Sequence, residues 1–550
     1  MADTVFLNGQ VITVDHENRV AEAVAVRGNR VLAVGSSEDV KQLIQSHTNV
    51  IDLQGKSLLP GFIDAHLHIT IYGTNKLGVD CKARGIRSID ELLTALKEQA
   101  EKTPAGEWVR ACGFDENLMI EQRYPTLAEL DEVTTAHPVF VMRTCAHHSV
   151  VNSRALAIAG YDRDTADPQG GRIDRDEAGE LTGFLIETAH MNMFEKAAFT
   201  EPEYIEGLRL ASEDFVAAGI TSVHDAGGYG PENYRAMQKA VQEGDVKVRI
   251  YAMVCALNQS DDFVRKMIDA GMVTGTGNAR FRIGPAKVFT DGASIAPTMA
   301  MREPFTSRPD DYGILYYEQD ELNTILGEAH ARGFQITAHA QGDRAIDMLL
   351  TCFETALEAH PRENHRHRIE HAGVSAPDLL DRMARLGVVP IPNPAFIYDY
   401  GDSYVNNIGE RVGHMFPARD QFDAGIIMAG ASDSPVTDFN PLIGIHAAVN
   451  RLSKTGQDVG INQRVSIMEA IRMFTWNGAY ASFEEGIKGS IEVGKLADLV
   501  VLDGDILATR ADRMKELRVD KTMIDGEFVY QRQDEEVLQD ERKSEKACDQ

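Results

Sequence analysis

Positive charge is in short supply in this sequence. Its 55 lysines and arginines face 84 aspartates and glutamates, for a net charge of −29 over 550 residues. A field of that sign repels nucleic-acid backbones and anionic membrane surfaces, so neither is an expected partner. Cysteine is sparse: Cys81, Cys112, Cys145, Cys255, Cys352 and Cys548 contain no C-x-x-C pair, which argues against a disulfide framework and against a thiolate zinc site. No apolar run approaches the roughly 20 residues that cross a bilayer. The opening MADTVFLNGQVITVD lacks the basic start and apolar core of a secretory signal, so a cytoplasmic location is expected. Tryptophan is limited to Trp108 and Trp476, both read as core residues. No G-x-x-x-x-G-K-[ST] follows the glycines of DAGGYGPENY, which therefore read as a turn and not a phosphate loop. No repeat of fixed period is present.

What is present is the composition of an ordinary soluble globular chain, 43% hydrophobic and 25% charged with 46 glycines. Its length suits a large barrel plus a smaller module. The first sixty residues read as short strands, with Asn8-Gly9 and Gly28-Asn29 between alternating apolar runs, which is hairpin chemistry. GSIEVGKLADLVVLDGD and VDKTMIDGEFVY repeat that texture near the other end. Residues 1–60 and 488–532 are thus expected to form one small β-sandwich domain. Between them, residues 61–487 alternate glycine-bounded apolar strands with amphipathic stretches, as in GITSVHDAG, FRIGPAKVFTDG, FQITAHAQGD, HRIEHAG, LGVVPIP and GIIMAGASDSP. That alternation predicts an α/β fold, a (β/α)8 TIM-like barrel. The charged tail from 533 to 550 is expected to be disordered.

His66 and His68 lie in FIDAHLHIT. Residues i and i+2 of a strand project from one face, so two imidazoles can converge on one ion. H-x-H by itself equally fits two hydrogen-bonded histidines, but these sit at the end of the first long central strand, where a barrel places its chemistry. Lys287, His339, His371 and Asp433 occupy equivalent strand ends. Their successive intervals of 52, 32 and 62 residues suit one, one and two βα units of 30 or so residues. If His66 closes strand 1, these four close strands 4, 5, 6 and 8. The 221 residues from His66 to Lys287 exceed three such units by roughly 120, so an insertion between strands 1 and 4 is expected, at about 74–189 and over the barrel mouth.

Taken in order, PGFIDAHLH, RTCAHHSVVNSRAL, GELTGFLIE, KVFTDG, HAQGDRAID, RIEHA, ASDSPV and GSIEVGKLADLVVLD resemble the metal-dependent amidohydrolase superfamily. More narrowly, the chain is similar to the third amidohydrolase family, which contains YtcJ-like proteins and N-substituted formamide deformylase. The resemblance covers nearly everything but the tail. It implies a ligand set of His66, His68, Lys287, His339, His371 and Asp433, with Lys287 carboxylated as an anionic bridge between two divalent ions. Ala146 before His147, Val150, and the start of IPNPAFIYDY depart from the family pattern, and none is a ligand.

Imidazole and carboxylate donors suit zinc, and two adjacent ions can activate water while polarising a carbonyl oxygen. A free ammonium has no lone pair to give. Lys287 is therefore either the modified ligand or an ammonium paired with Asp291 or another carboxylate in a one-metal form. Asp433 is the expected general base and returns its proton to the departing amine; S-D-S before proline is also good turn chemistry. The expected reaction is attack of metal-bound hydroxide on the amide carbon of a small neutral substrate, an N-substituted formamide being the narrowest candidate. His147, His224 and Arg344 are candidate donors to the oxyanion, and Phe114, Phe396 and Tyr398 are candidate walls for the amine substituent. Deamination and ester or lactone hydrolysis are the alternatives on the same scaffold, and Lys287 with H-A-Q-G-D favours the amidase. A noncatalytic scaffold is the third alternative, set against the retention of all six ligands. A homodimer is compatible with this reading.

Overall fold

The computed structural model describes residues 1–144, 148–257 and 259–533. His147 and the tail from 534 onward lie outside the described residues. The chain divides into two compact units, Thr70–Leu210 and the remainder, Met1–Ile69 with the chain from Ala211.

Seven parallel strands run in sequence order around the larger unit: Phe62–Leu67, Ile220–Asp225, Arg249–Val254, Phe281–Phe289, Ile336–Ala340, Arg368–His371 and Val389–Ile391. Nearly every residue on them is buried, as expected of strands covered on both faces. Among the described residues no regular eighth strand joins this sheet. Instead the irregular run 428–434 bonds to both edges: Ala429 and Ala431 N–H donate to the Pro390 and Pro392 carbonyls, Ala65 N–H to Gly430, and Asp433 N–H to the His66 carbonyl at 2.8 Å. That run closes a (β/α)8 barrel and fixes Asp433 beside the H-x-H pair. Helices fill the connections. In Pro377–Leu386, proline occupies the first turn, buried Leu379, Leu380 and Met383 make the inner stripe, and Gly387 at φ +70° supplies the left-handed terminator.

Two further sheets belong to the same unit. One has the order Arg30–Gly35, Ala23–Arg27, Thr4–Leu7, Asn49–Asp52. The other runs Glu527–Gln531, Val519–Ile524, Leu499–Leu502, Ser57–Pro60, Gln10–Ile12, Val20–Ala21, and so mixes strands from the two ends of the chain. Phe6, Val11, Val24, Leu58, Leu499 and Met523 fill the space between them, each such side chain stabilising the fold by roughly 1.5–3 kcal/mol. Buried Arg249 of the third barrel strand forks onto Asp498 at 2.7 and 2.9 Å and reaches Asp525 at 2.7 Å, joining sandwich to barrel.

The unit Thr70–Leu210 leaves after the first barrel strand and returns before the second. It carries its own six-stranded sheet, from Gly171–Arg175 at one edge to Val79–Asp80 at the other. Its helix Ile89–Lys102 begins at Ser88, whose hydroxyl accepts the Glu91 N–H, and it buries Ile89, Leu92 and Leu96 against that sheet.

Three histidines, buried at the start of strands or on helices far from the strand ends, bear on acid stability. His367 Nε2 meets His330 Nδ1 at 2.9 Å, His330 Nε2 meets the His360 carbonyl, and His365 Nε2 meets the Leu386 carbonyl. The Ile336 and His367 backbone N–H groups donate to the remaining nitrogens of His367 and His365. Every ring nitrogen is committed in the neutral form, and burial lowers all three pKa values. Below the ordinary histidine value of about 6.5 the unfolded chain gains protons that the folded barrel refuses. The contribution of these rings is whole above that pH and erodes as the pH falls. The urea midpoint should therefore drop from pH 7 to 5, and the slope should flatten in His367→Gln; equal slopes in parent and variant would contradict this.

Candidate metal centre

The side chains of the H-x-H pair and Asp433 converge at the C-terminal end of the barrel. One donor atom from each of His66, His68 and Asp433 lies within 4.8 Å of the others; Asp433 Oδ1 is 3.4 Å from His66 Nε2 and 3.3 Å from His68 Nε2. The His371 ring centroid is 4.7 Å from His66 and 4.6 Å from His339. Lys287 Nζ, fully buried, lies 3.4 Å from His66 Nε2 and donates to the Ala226 carbonyl at 2.9 Å.

Two of these residues are reached by unusual backbone. Consecutive strand residues ordinarily face opposite sides, yet Glu370 and His371 both turn toward His66. His371 has φ +71°, and Asp433 has φ +60°. Each left-handed residue costs on the order of 1–3 kcal/mol, a strain that concentrates at functional sites.

The second nitrogen of each imidazole shows whether the cluster fits a metal. His66 Nδ1 contacts Glu370 Oε2 at 2.5 Å, His68 Nδ1 the Gly227 carbonyl at 2.6 Å, and His371 Nδ1 Asn393 Oδ1 at 2.6 Å. His339 uses Nε2 on the Gly292 carbonyl at 3.0 Å, with Asp291 Oδ1 at 3.4 Å. Carbonyls and carboxylates only accept, so each ring carries its proton on that nitrogen and keeps its lone pair for the cluster, the pattern of metal-ligating histidine. Burial keeps two of these histidines neutral, holding His339 at about 4 and His371 well below the usual histidine range. Burial pushes the Asp433 carboxyl up, and proton donation from His66 and His68 would hold it well below the usual range; with those rings carrying their protons on Nδ1, a bound cation is the group that would hold it ionised. Neutral imidazoles facing an anionic carboxylate fit a divalent cation.

Asp291 is not the ion-pair partner of Lys287. It accepts the backbone N–H groups of Ala300, Gln341 and Gly342 at 2.8–3.0 Å, and no ion pair joins Lys287 to any carboxylate among the described residues.

The residues expected to contact substrate are placed less uniformly. Phe396 stacks on His371 with centroids 6.4 Å apart. Tyr398 does not join it: its hydroxyl accepts from Lys515 Nζ at 2.7 Å and its ring packs on His446. The segment after strand 7 is a helix from Pro394 to Ile408, so residues 396 and 398 point apart and the residue sharing a face with Phe396 is Tyr400. Tyr400 packs on Phe396 at 5.7 Å and donates to the Val436 carbonyl. Burial, with the Asp399 and Asp433 charges, pushes its phenol up to about 12. His224 lies inside the barrel between Arg368 and Tyr251, where it is fully buried. Arg344 is exposed and lines a separate cleft of about 680 Å³ with Leu315, Tyr316 and Asp347. Phe114 packs in the core of the Thr70–Leu210 unit against Tyr124. Tyr400→Ala should lower kcat/KM about 10-fold, the loss of one aromatic contact of roughly 1.4 kcal/mol, while Tyr398→Ala leaves it unchanged. The reverse order would return Tyr398 to the site.

Glu370, Asn393 and Tyr400 are the site residues that sequence reasoning missed. Only Glu370 carried a signal, as a charged residue inside the otherwise apolar strand motif RIEHA.

A family model described as the amidohydrolase family matches residues 49–530. The chain is 32% identical over 548 residues to an N-substituted formamide deformylase of Arthrobacter pascens, covering 97% of this chain and 99% of that relative. It is 31% identical over 539 residues to the protein YtcJ of Bacillus subtilis (strain 168), with 96% and 99% covered. A solved structure described as an uncharacterized metal-dependent hydrolase from Pyrococcus horikoshii OT3 superposes with a TM-score of 0.78 at 28% identity, covering 92% of this chain and 99% of that one.

Proposed function

Because the chain belongs to the amidohydrolase family, we propose that it hydrolyses a carbon–nitrogen bond in a small neutral amide, with an N-substituted formamide as the narrowest candidate. The observation that carries this reading is the convergence of His66, His68 and Asp433 donor atoms within 4.8 Å, with Lys287, His339 and His371 around the same point. His66, His68, His339, His371, Asp433 and a carboxylated Lys287 would hold two zinc ions. When bound, the metal supplies Lewis acidity and lowers the pKa of water.

The remaining work falls to side chains of the barrel. Asp433 accepts a proton from the attacking water as the water oxygen bonds to the amide carbon. As the C–N bond breaks, the same carboxyl returns that proton to the nitrogen, so a formamide yields formate and free amine. Phe396 and Tyr400 form an apolar wall for the amine substituent and exclude water from that side. The relative from Arthrobacter pascens is named for formamides, which favours that narrower class.

Supplied with N-benzylformamide, the metal-loaded protein should release formate and benzylamine in equal amounts. Cleavage of N-acyl amino acids or cyclic ureas alone would remove the formamide reading and leave a hydrolase of the family.

A further inference from the structure

The centre of the barrel holds a column of polar side chains that the reaction itself does not use. Glu370 and Arg368, two residues apart on the sixth strand and so on one face, are both fully buried. Arg368 donates Nε to Glu370 Oε1 at 2.8 Å and Nη2 to Oε2 at 2.9 Å, a bidentate pair. Two further protons go to the Ala65 carbonyl at 2.7 Å and to His224 Nδ1 at 3.0 Å. Thr337 on the fifth strand shares its hydroxyl proton between Glu370 Oε1 at 2.8 Å and the Arg368 carbonyl at 3.0 Å. Guanidinium can only donate, so His224 accepts through Nδ1 and is itself neutral. With one oxygen held twice and the other once, Glu370 keeps the free side of Oε2 for a single partner, His66 Nδ1 at 2.5 Å.

Among the four histidines of the metal centre, His66 has as its nearest acceptor a full anionic carboxylate. His68 and His339 donate to backbone carbonyls, and His371 to the Asn393 amide. A buried ion pair of this kind gains little stability over an apolar pair of the same volume, so its presence in the barrel core calls for another role. The carboxylate fixes the His66 tautomer and aims Nε2 at Asp433 and Lys287. It also draws the Nδ1 proton toward itself, which raises the donor strength of Nε2. We infer that Glu370, anchored by Arg368 and Thr337, is a positioning residue that sets the metal affinity of the centre through His66.

This inference rests on the metal-hydrolase reading, and metal binding by the parent protein tests that reading separately. Zinc affinity of the full-length chain is measured by competition with a chelating dye, alongside the thermal transition of the metal-free protein. The parent binds zinc. Glu370→Gln, which keeps shape and removes charge, should bind it 10- to 100-fold more weakly with its secondary structure retained. Because that change leaves Arg368 unpaired, the double variant Arg368→Met/Glu370→Gln, which removes both charges, is measured in parallel and should show the same loss. Histidine-selective NMR of the zinc-loaded parent supplies a signature that a purely structural role would not move: a strongly downfield Nδ1–H proton, assigned to His66 by its absence in His66→Asn. A folded single or double variant with parental affinity, or a parent whose His66 carries no proton on Nδ1, overturns the inference. A parent that binds no zinc instead removes the reading beneath it.

Discussion

Asp433→Asn should lower kcat by ~10²-fold or more, the lower end of what a positioned general base contributes, and should leave the thermal transition of the metal-free protein close to that of the parent. Asp433 Oδ1 lies 3.4 Å from His66 Nε2 and 3.3 Å from His68 Nε2, on the side of both rings that faces the cluster. Asparagine keeps the shape and the backbone hydrogen bond to His66 and removes the basicity. Left-handed backbone at this position is also compatible with asparagine, which tolerates φ > 0 better than most residues. A loss of rate therefore reports proton transfer and not a broken barrel. Retained turnover at full metal occupancy would assign the proton to another group.

The second large effect is expected at Lys287. A fully buried amine with no carboxylate partner among the described residues, 3.4 Å from His66 Nε2, is an expensive thing to leave charged in a barrel core. Carboxylation converts it into an anion with two oxygens that can bridge two ions. Lys287→Ala should lose bound metal and nearly all activity, and regain part of both when formate, acetate or propionate is added to occupy the vacated volume. A variant that binds metal and turns over like the parent would show that no bridge exists there.

Much of the centre was legible because strand periodicity is simple. H-x-H declares two side chains on one face, and the spacing of Lys287, His339, His371 and Asp433 matches whole βα units. The barrel fold followed from the same alternation of strand and helix. The eighth strand was less regular than its motif suggested, since ASDSPV closes the sheet through isolated backbone bonds and a left-handed Asp433. Glu370 was hidden by the very periodicity that exposed His66: alternation assigns neighbouring Glu370 and His371 to opposite faces, and only the positive φ at His371 lets both turn inward. Phe396 and Tyr398, two residues apart in IPNPAFIYDY, would share a face only in an extended chain. The helix that starts at Pro394 replaces a period of two by one near four, and the partner of Phe396 shifts by two residues. His224 has the strand placement of a site residue, yet Arg368 occupies its acceptor nitrogen, a long-range contact that no local pattern encodes.

The claim that this barrel is a metal-dependent hydrolase is tested most directly by measuring metal content and amine release on the same preparation, before chelation, after chelation and after zinc is restored. The account predicts up to two zinc ions per chain, amine release from a formamide that disappears with the metal, and recovery when zinc returns. Full amine release from metal-free protein would contradict it.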